Sequence, residues 1–312
     1  MRQQHTIGRS VTCTGVGLHT GQPVSLTLSP APPNTGILFV RHQVNGAVSF
    51  SASIRNLVST ELCTALSADG ALVKTVEHVL AALAGLEVDN AYVELDGGEV
   101  PAMDGSAGAF VQLIRSAGIV QQERRQPYLK ILRPIEIAEA GRRIAITPAA
   151  TTKITCSVEY DHPMIERQTY EYNWSVSSFE QDIAGARTFA FLNEVKALWA
   201  RGLAKGGSLD NTVVLSEDGI VNESGLRFKD EFARHKVLDL IGDLALLGVP
   251  VIGHLIADRS GHALHTKLVQ AILSQPDSWV MVDAQEAPAA PQYVYARPAH
   301  APIAALQAAP AA

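Results

Sequence analysis

The sequence predicts an α+β protein made of two copies of a two-layer βα-sandwich. Three observations carry that reading. Residues 11–40 alternate in hydrophobicity and are punctuated by Gly, Pro and Asn, as strands and hairpins are, before helical spacing takes over at 72–88. A strand-like AYVELDG (91–97) and a second helical stretch (106–119) complete the first half. The second half runs the same way, with strand signals at 128–160, a long helix at 228–248, a strand at 249–258 and a helix at 262–275. The interval from His78 to Ser106 nearly equals that from His235 to His262, so each half reads as a sheet with helices on one face.

The boundaries follow composition. Residues 1–120 form the first unit, the polar QQERRQP (121–127) links it to 128–285, and the Ala- and Pro-rich 286–312 is an irregular tail. A length of 312 residues suits two ordinary domains or one large one. With a formal charge of −6 and no basic run beyond Arg124–Arg125 and Arg142–Arg143, nucleic acid is excluded as the main partner. The opening MRQQHTIGRSVTCTG lacks the apolar core of a signal peptide, and no run approaches the ~20 apolar residues of a membrane span. Cys13, Cys63 and Cys156 are widely spaced without a CxxC, which reads as reduced thiols in a cytoplasmic protein.

Within 72–88, Val76, Val79, Leu80 and Leu83 make the apolar face and Gly85 is the stop signal. Between 178 and 201 the helical pieces are short and broken by ARTFAF, and RGLAKGGS (201–208) is flexible in composition. The helix at 228–248 buries Phe232, Val237, Leu238, Leu240, Ile241, Leu244, Leu246 and Leu247. His235, Asp239 and Asp243 interrupt that run at intervals of four, which places them along one slowly drifting stripe.

An imidazole and a carboxylate one turn apart can chelate one ion, although a solvent-facing His–Asp pair has the same spacing. The corresponding first-half helix carries Glu77 and His78. With His235 and Asp239, His78 makes a two-His, one-carboxylate set that leaves a position for water, as catalytic zinc sites do. Glu77 then sits where a general base belongs, while the plain alternative is a charged pair at a helix start. His262 follows Gly261 at a helix start and is either a surface histidine or a general acid oriented by Asp243. Thr188 offers a hydroxyl beside Phe189 and Phe191, or closes a turn. His5, His42, His162, His254, His265 and His300 read as surface or core histidines.

These residues lie in segments that resemble the UDP-3-O-acyl-N-acetylglucosamine deacetylase family, the zinc amidases of lipid A biosynthesis in Gram-negative bacteria. The resemblance runs through TGVGLHTG (14–21), STELCTAL (59–66), TVEHVLAALAGLEVDN (75–90), PAMDGSAGAF (101–110), ARTFAF (186–191), GLAKGGS (202–208), GLRFKDEFARHKVLDLIGD (225–243) and SGHAL (260–264). It implies two βα-sandwiches packed helix layer to helix layer, with zinc, or iron in the cell, on His78, His235 and Asp239. It also implies Glu77 as general base, His262 as acid or electrostatic partner supported by Asp243, and Thr188 as oxyanion donor. Lys236, Phe189 and Phe191 resemble positions near sugar, diphosphate or acyl chain, and Leu62, Cys63, His19 and Gly207 lie in matching segments around them.

The implied reaction removes the acetyl group from UDP-3-O-(3-hydroxyacyl)-N-acetylglucosamine, a small-molecule substrate, in a cytoplasmic monomer. Glu61, Asn193–Glu194 and Ala204–Lys205 depart from the pattern at the edge expected to hold the acyl chain, which leaves chain length open. Another metal-dependent amidase or esterase fits the same ligands. A non-catalytic nucleotide-sugar module has no use for the set.

Overall fold

A computed structural model describes residues 2–282. The Ala- and Pro-rich tail singled out above lies outside the described residues. Two five-stranded sheets dominate. The first half contains β1 (Gln3–Ile7), β2 (Val11–Val16), β3 (Pro23–Pro30), β4 (Ile37–Gln43), β5 (Gly46–Ser51), β6 (Leu57–Ser59), β7 (Ala65–Ala68), β8 (Ala71–Val73), α1 (Glu77–Gly85), β9 (Ala91–Leu95), α2 (Gly108–Ala117) and β10 (Ile119–Arg125). Its main sheet runs β2-β3-β9-β4-β5.

The second half contains β11 (Tyr128–Ile131), β12 (Ile135–Glu139), β13 (Arg142–Thr147), β14 (Lys153–Tyr160), β15 (Glu166–Asn173), α3 (Val176–Ser178), β16 (Phe189–Phe191), α4 (Leu192–Ala200) and β17 (Val213–Leu215). α5 (Glu231–Leu244), β18 (Val251–Ile252), β19 (His254–Asp258), α6 (His262–Ser274) and β20 (Trp279–Val282) follow. Its main sheet runs β12-β13-β19-β14-β15. In both sheets the last strand to arrive enters the centre, antiparallel to one neighbour and parallel to the other.

Alternation explains the strands. In β3, Val24, Leu26 and Leu28 point inward while Ser25 and Thr27 are only half-buried. The helices form the other layer. α1 is apolar almost all round (EHVLAALAG) and buried on nearly every side, as a helix between two layers must be. It packs against α5, and a single apolar core takes in Leu80 and Leu83 of α1 with Val237, Leu238 and Ile241 of α5. Gly242 permits this contact, because a Cβ there would lie 2.0 Å from the Glu77 carbonyl oxygen. Gly248, in the left-handed region at φ 78°, ends the turn that follows α5.

Three differences from the sequence expectations stand out. The polar run 121–127, expected as a linker, is strand as far as Arg125 and pairs antiparallel with β1. Its side chains are mostly exposed, so polar residues fit a surface ribbon that alternation in hydrophobicity cannot reveal. The helix expected from 228 starts at Glu231, and its last turn is 3-10. The strand expected at 249–258 is two strands in two sheets, broken at Gly253.

Candidate active site

α1 and α5 bring the expected ligands together. His78 Nε2 lies 3.6 Å and His235 Nε2 3.3 Å from the same oxygen, Asp239 Oδ1. The ligand atoms of all three residues fall within 4.8 Å of one another, and all three residues are buried. A tetrahedral ion with bonds of about 2.0–2.2 Å spaces its ligand atoms by roughly 3.3–3.6 Å, so these donors fit one ion.

Their surroundings prepare them for it. His235 Nδ1–H donates to the Ala186 carbonyl at 3.0 Å, which leaves Nε2 with its lone pair toward the cluster. Burial drives the His235 pKa down to about 4 against the pull of Asp239, so the ring is neutral, as a ligand must be. Burial alone would raise Asp239, but its charged neighbours, the Lys236 ammonium among them, hold it well below the usual carboxylate range. Lys236 Nζ donates to Asp239 Oδ2 at 2.9 Å and satisfies the oxygen turned away from the histidines.

A second group of Asp243, His262 and His265 also has converging ligand atoms. Its separations are hydrogen bonds: 2.7 Å from His262 Nδ1 and 2.8 Å from His265 Nδ1, both to Asp243 Oδ2. This group is a proton-holding network rather than a second metal cluster. Burial opposes a charge on His262, yet the neighbouring Asp243 and Glu77 carboxylates push its pKa up to about 10. Asp243, despite burial, is held down to about 2 by the same pairing. His262 Nε2 faces Glu77 Oε1 at 3.9 Å. Burial raises the Glu77 carboxyl above its ordinary range, with His262 and His78 opposing.

Thr64, which spacing gave no reason to select, ties the two halves. Its N–H donates to Glu77 Oε2 at 3.0 Å and its hydroxyl to Asp243 Oδ1 at 2.5 Å. Just before α1, Thr75 adopts φ 57°, a strained conformation for a β-branched residue. Its hydroxyl donates to buried Glu99, which also accepts the His19 and Thr20 N–H groups. No pattern in the sequence marks Thr64 or Glu99, because each acts through a contact distant along the chain.

Arg187, in the segment before β16, forms a buried ion pair with Glu231 at the start of α5, and Glu231 also accepts the Arg187 and Arg227 N–H groups. That clamp fixes the Ala186 carbonyl behind His235 and places Thr188 beside it, with Thr188 N–H bonded to Gly105 O at 2.8 Å. Phe189 packs on Phe232 and Tyr160, with Lys236 Nζ 5.6 Å from its ring centre, and Phe191 packs on Tyr160 and His162. The loop with Gly207 rests on the His19 loop through Lys205 N–H to His19 O and Gly206 N–H to Leu18 O. Glu61, next to exposed Leu62, pairs with Arg201 beyond α4. Cys63 is buried, and burial pushes its thiol up to about 12, so it is no nucleophile. Both His19 ring nitrogens are buried without a hydrogen-bond partner among the described residues.

A cavity of about 480 Å³ opens toward the C-terminal ends of α1 and α5, lined by Leu83, Trp174 and Leu244 among others, and neither the ligands nor Glu77 or His262 border it.

Two buried histidines and a carboxylate with converging ligand atoms, beside a glutamate–histidine pair, are the kind of set that a metal-dependent hydrolase uses. Comparison with known proteins makes that specific. The model of the LpxC family, UDP-3-O-acyl N-acetylglycosamine deacetylase, matches residues 4–274, and the chain belongs to that family. A UDP-3-O-acyl-N-acetylglucosamine deacetylase of Anaeromyxobacter sp. is 49% identical over 273 residues, 88% of this chain and 89% of its own. Proteins of the same name from Myxococcus xanthus and Chromohalobacter salexigens are each 46% identical, over 282 residues (90% of both chains) and 305 residues (96% of this chain, 99% of the other). No helix among the described residues is long and apolar enough to cross a membrane.

Proposed function

We propose that the chain hydrolyses the acetamido group of UDP-3-O-(3-hydroxyacyl)-N-acetylglucosamine, releasing acetate and the free amine, with zinc held by His78, His235 and Asp239. The observation that carries this reading is the junction of α1 and α5, where the ligand trio meets the Glu77–His262 pair. A divalent ion bound there supplies Lewis-acid activation of water and of the amide carbonyl. The protein supplies the proton chemistry. Glu77, its Oε2 pinned by Thr64, uses the raised basicity of a buried carboxylate to take a proton from the attacking water. His262, charged at neutral pH, faces the same space and donates to the departing amine, a poor leaving group until protonated. The Thr188 hydroxyl holds the developing oxyanion.

The segment 189–208 is the proposed acyl-chain site. In support, α4 buries none of its residues and leaves Leu192 40% and Trp199 56% exposed. Lys236, Phe189, Phe191, Leu62, His19 and Gly207 border the substrate. The shared strand order of the two sheets supports a duplicated architecture, 1–120 and 128–285, with half of the site on each copy. A net charge of −6 fits a cytoplasmic enzyme with no nucleic-acid partner.

The test is to strip the metal, add back one equivalent of zinc and measure acetate release. Release only with zinc is expected, with Glu77→Ala folded and metal-loaded but inactive, and Asp239→Ala weakened in metal affinity. Full zinc occupancy and normal turnover in Asp239→Ala would overturn the ligand assignment. Equal turnover of unacylated UDP-N-acetylglucosamine would remove the acyl site.

A further inference from the structure

His265 lies one turn beyond His262 on α6, and nothing in the reaction above uses it. Its side chain is fully buried (0% exposed), although its sequence context marks it only as a surface or core histidine. Asp243 Oδ2 accepts from both rings, at 2.7 Å from His262 Nδ1 and 2.8 Å from His265 Nδ1, while Oδ1 accepts the Thr64 hydroxyl at 2.5 Å. The far nitrogen of His265, Nε2, is 2.9 Å from Ser260 Oγ. We infer that His265 is a positioning residue for His262, acting through the carboxylate oxygen they share, with Ser260 fixing its tautomer.

The hydrogen-bond inventory leaves one neutral arrangement that satisfies every group. Asp243 is ionised and can only accept, so Nδ1 of each histidine carries a proton toward it. In a neutral His265, Nε2 is then an acceptor, and Ser260 donates to it. A second imidazolium would bring a like charge to a ring centred 6.1 Å from His262, inside a buried site. His265 therefore leaves the negative charge of Asp243 in place and fixes the direction in which it points. Three donors on two oxygens hold the carboxylate against rotation, and that carboxylate holds the His262 plane. The result is that His262 Nε2 faces Glu77 rather than sampling other directions. α6 can deliver both rings because positions three apart share one helix face.

This inference rests on the proposed reaction for its kinetic arm only. The full-length, zinc-loaded chain is compared with His265→Leu, His265→Asn, His265→Gln and Ser260→Ala. The Asn amide places an N–H where Nδ1 stood, whereas the Gln amide places it near Nε2, away from Asp243. Expected are a kcat loss of about 10- to 100-fold in the Leu and Gln variants, the range for a lost hydrogen bond to a charged group, and recovery in Asn. KM and zinc content should be unchanged throughout, and Ser260→Ala should show a smaller kcat loss. Independently of turnover, the downfield proton resonance of His262 Nδ1–H should broaden or move upfield in His265→Leu and return in His265→Asn. A folded Leu variant with wild-type kcat and an unmoved resonance would overturn the inference, as would an Asn variant as impaired as Leu. A wild-type chain inactive on the acylated substrate would instead count against the proposed reaction, with the resonance still deciding the role of His265.

Discussion

Gly242→Ala should both destabilise this protein and loosen its site. The added Cβ would sit 2.0 Å from the Glu77 carbonyl oxygen, 2.7 Å from its carbonyl carbon and 2.9 Å from its Cα. All three neighbours are backbone, so no side chain can swing aside. To restore even a 3.0 Å contact, α1 and α5 must part by about 1 Å, the difference between 2.0 and 3.0. Overpacking of a dense core costs about 1–3 kcal/mol, and the rigid partner places this case at the upper end. The consequence for the site is larger. His78 and Glu77 ride on α1, His235, Asp239 and Asp243 on α5, and a displacement of ~1 Å in reacting groups costs on the order of 100-fold in rate. Thermal unfolding, bound-metal analysis and kcat/KM on one preparation should show a lowered Tm, weakened metal retention and a rate loss beyond what the stability change explains. A variant with wild-type metal content and turnover would refute the claim that this contact sets the site.

Two other predictions concern charge. Because the folded pKa of His262 is raised to about 10, its contribution to stability is fully present below the unfolded value of about 6.5 and is lost as pH rises through 10. Asp243, lowered to about 2, contributes above about 3.9 and loses that as pH falls through 2. The stability advantage of the wild type over His262→Gln, measured by urea unfolding, should therefore shrink steadily from pH 6.5 to pH 10; a constant or widening gap would contradict the pairing. Glu231→Ala should cost about 3–5 kcal/mol by stranding Arg187, whose side chain is 4% exposed. Glu136→Ala breaks an equally short pair with Arg143, but both partners are about half exposed, so its cost should be far smaller than that of the buried pair. Equal shifts in urea midpoint would refute the assignment of cost to burial.

Local pattern sufficed to group residue types that share a helix face. The four-residue interval of His235, Asp239 and Asp243 can be read directly from sequence, and α5 places all three in the buried interior. The adjacency of Glu77 and His78 is likewise local, as is the strand alternation behind the α+β class. A polar surface ribbon has no such signal, which is why 121–127 reads as a linker although it is strand as far as Arg125 and pairs with β1. The tertiary structure alone decided that Thr64 bridges Glu77 to Asp243 and that Gly242 lets the two helices touch. It also decided that His265 is a hydrogen-bond donor to a shared carboxylate rather than a core filler. The physical reason is range: periodicity records which face a side chain takes on its own helix or strand, whereas hydrogen bonds and close approaches join whatever the packing of separate elements brings within 3 Å.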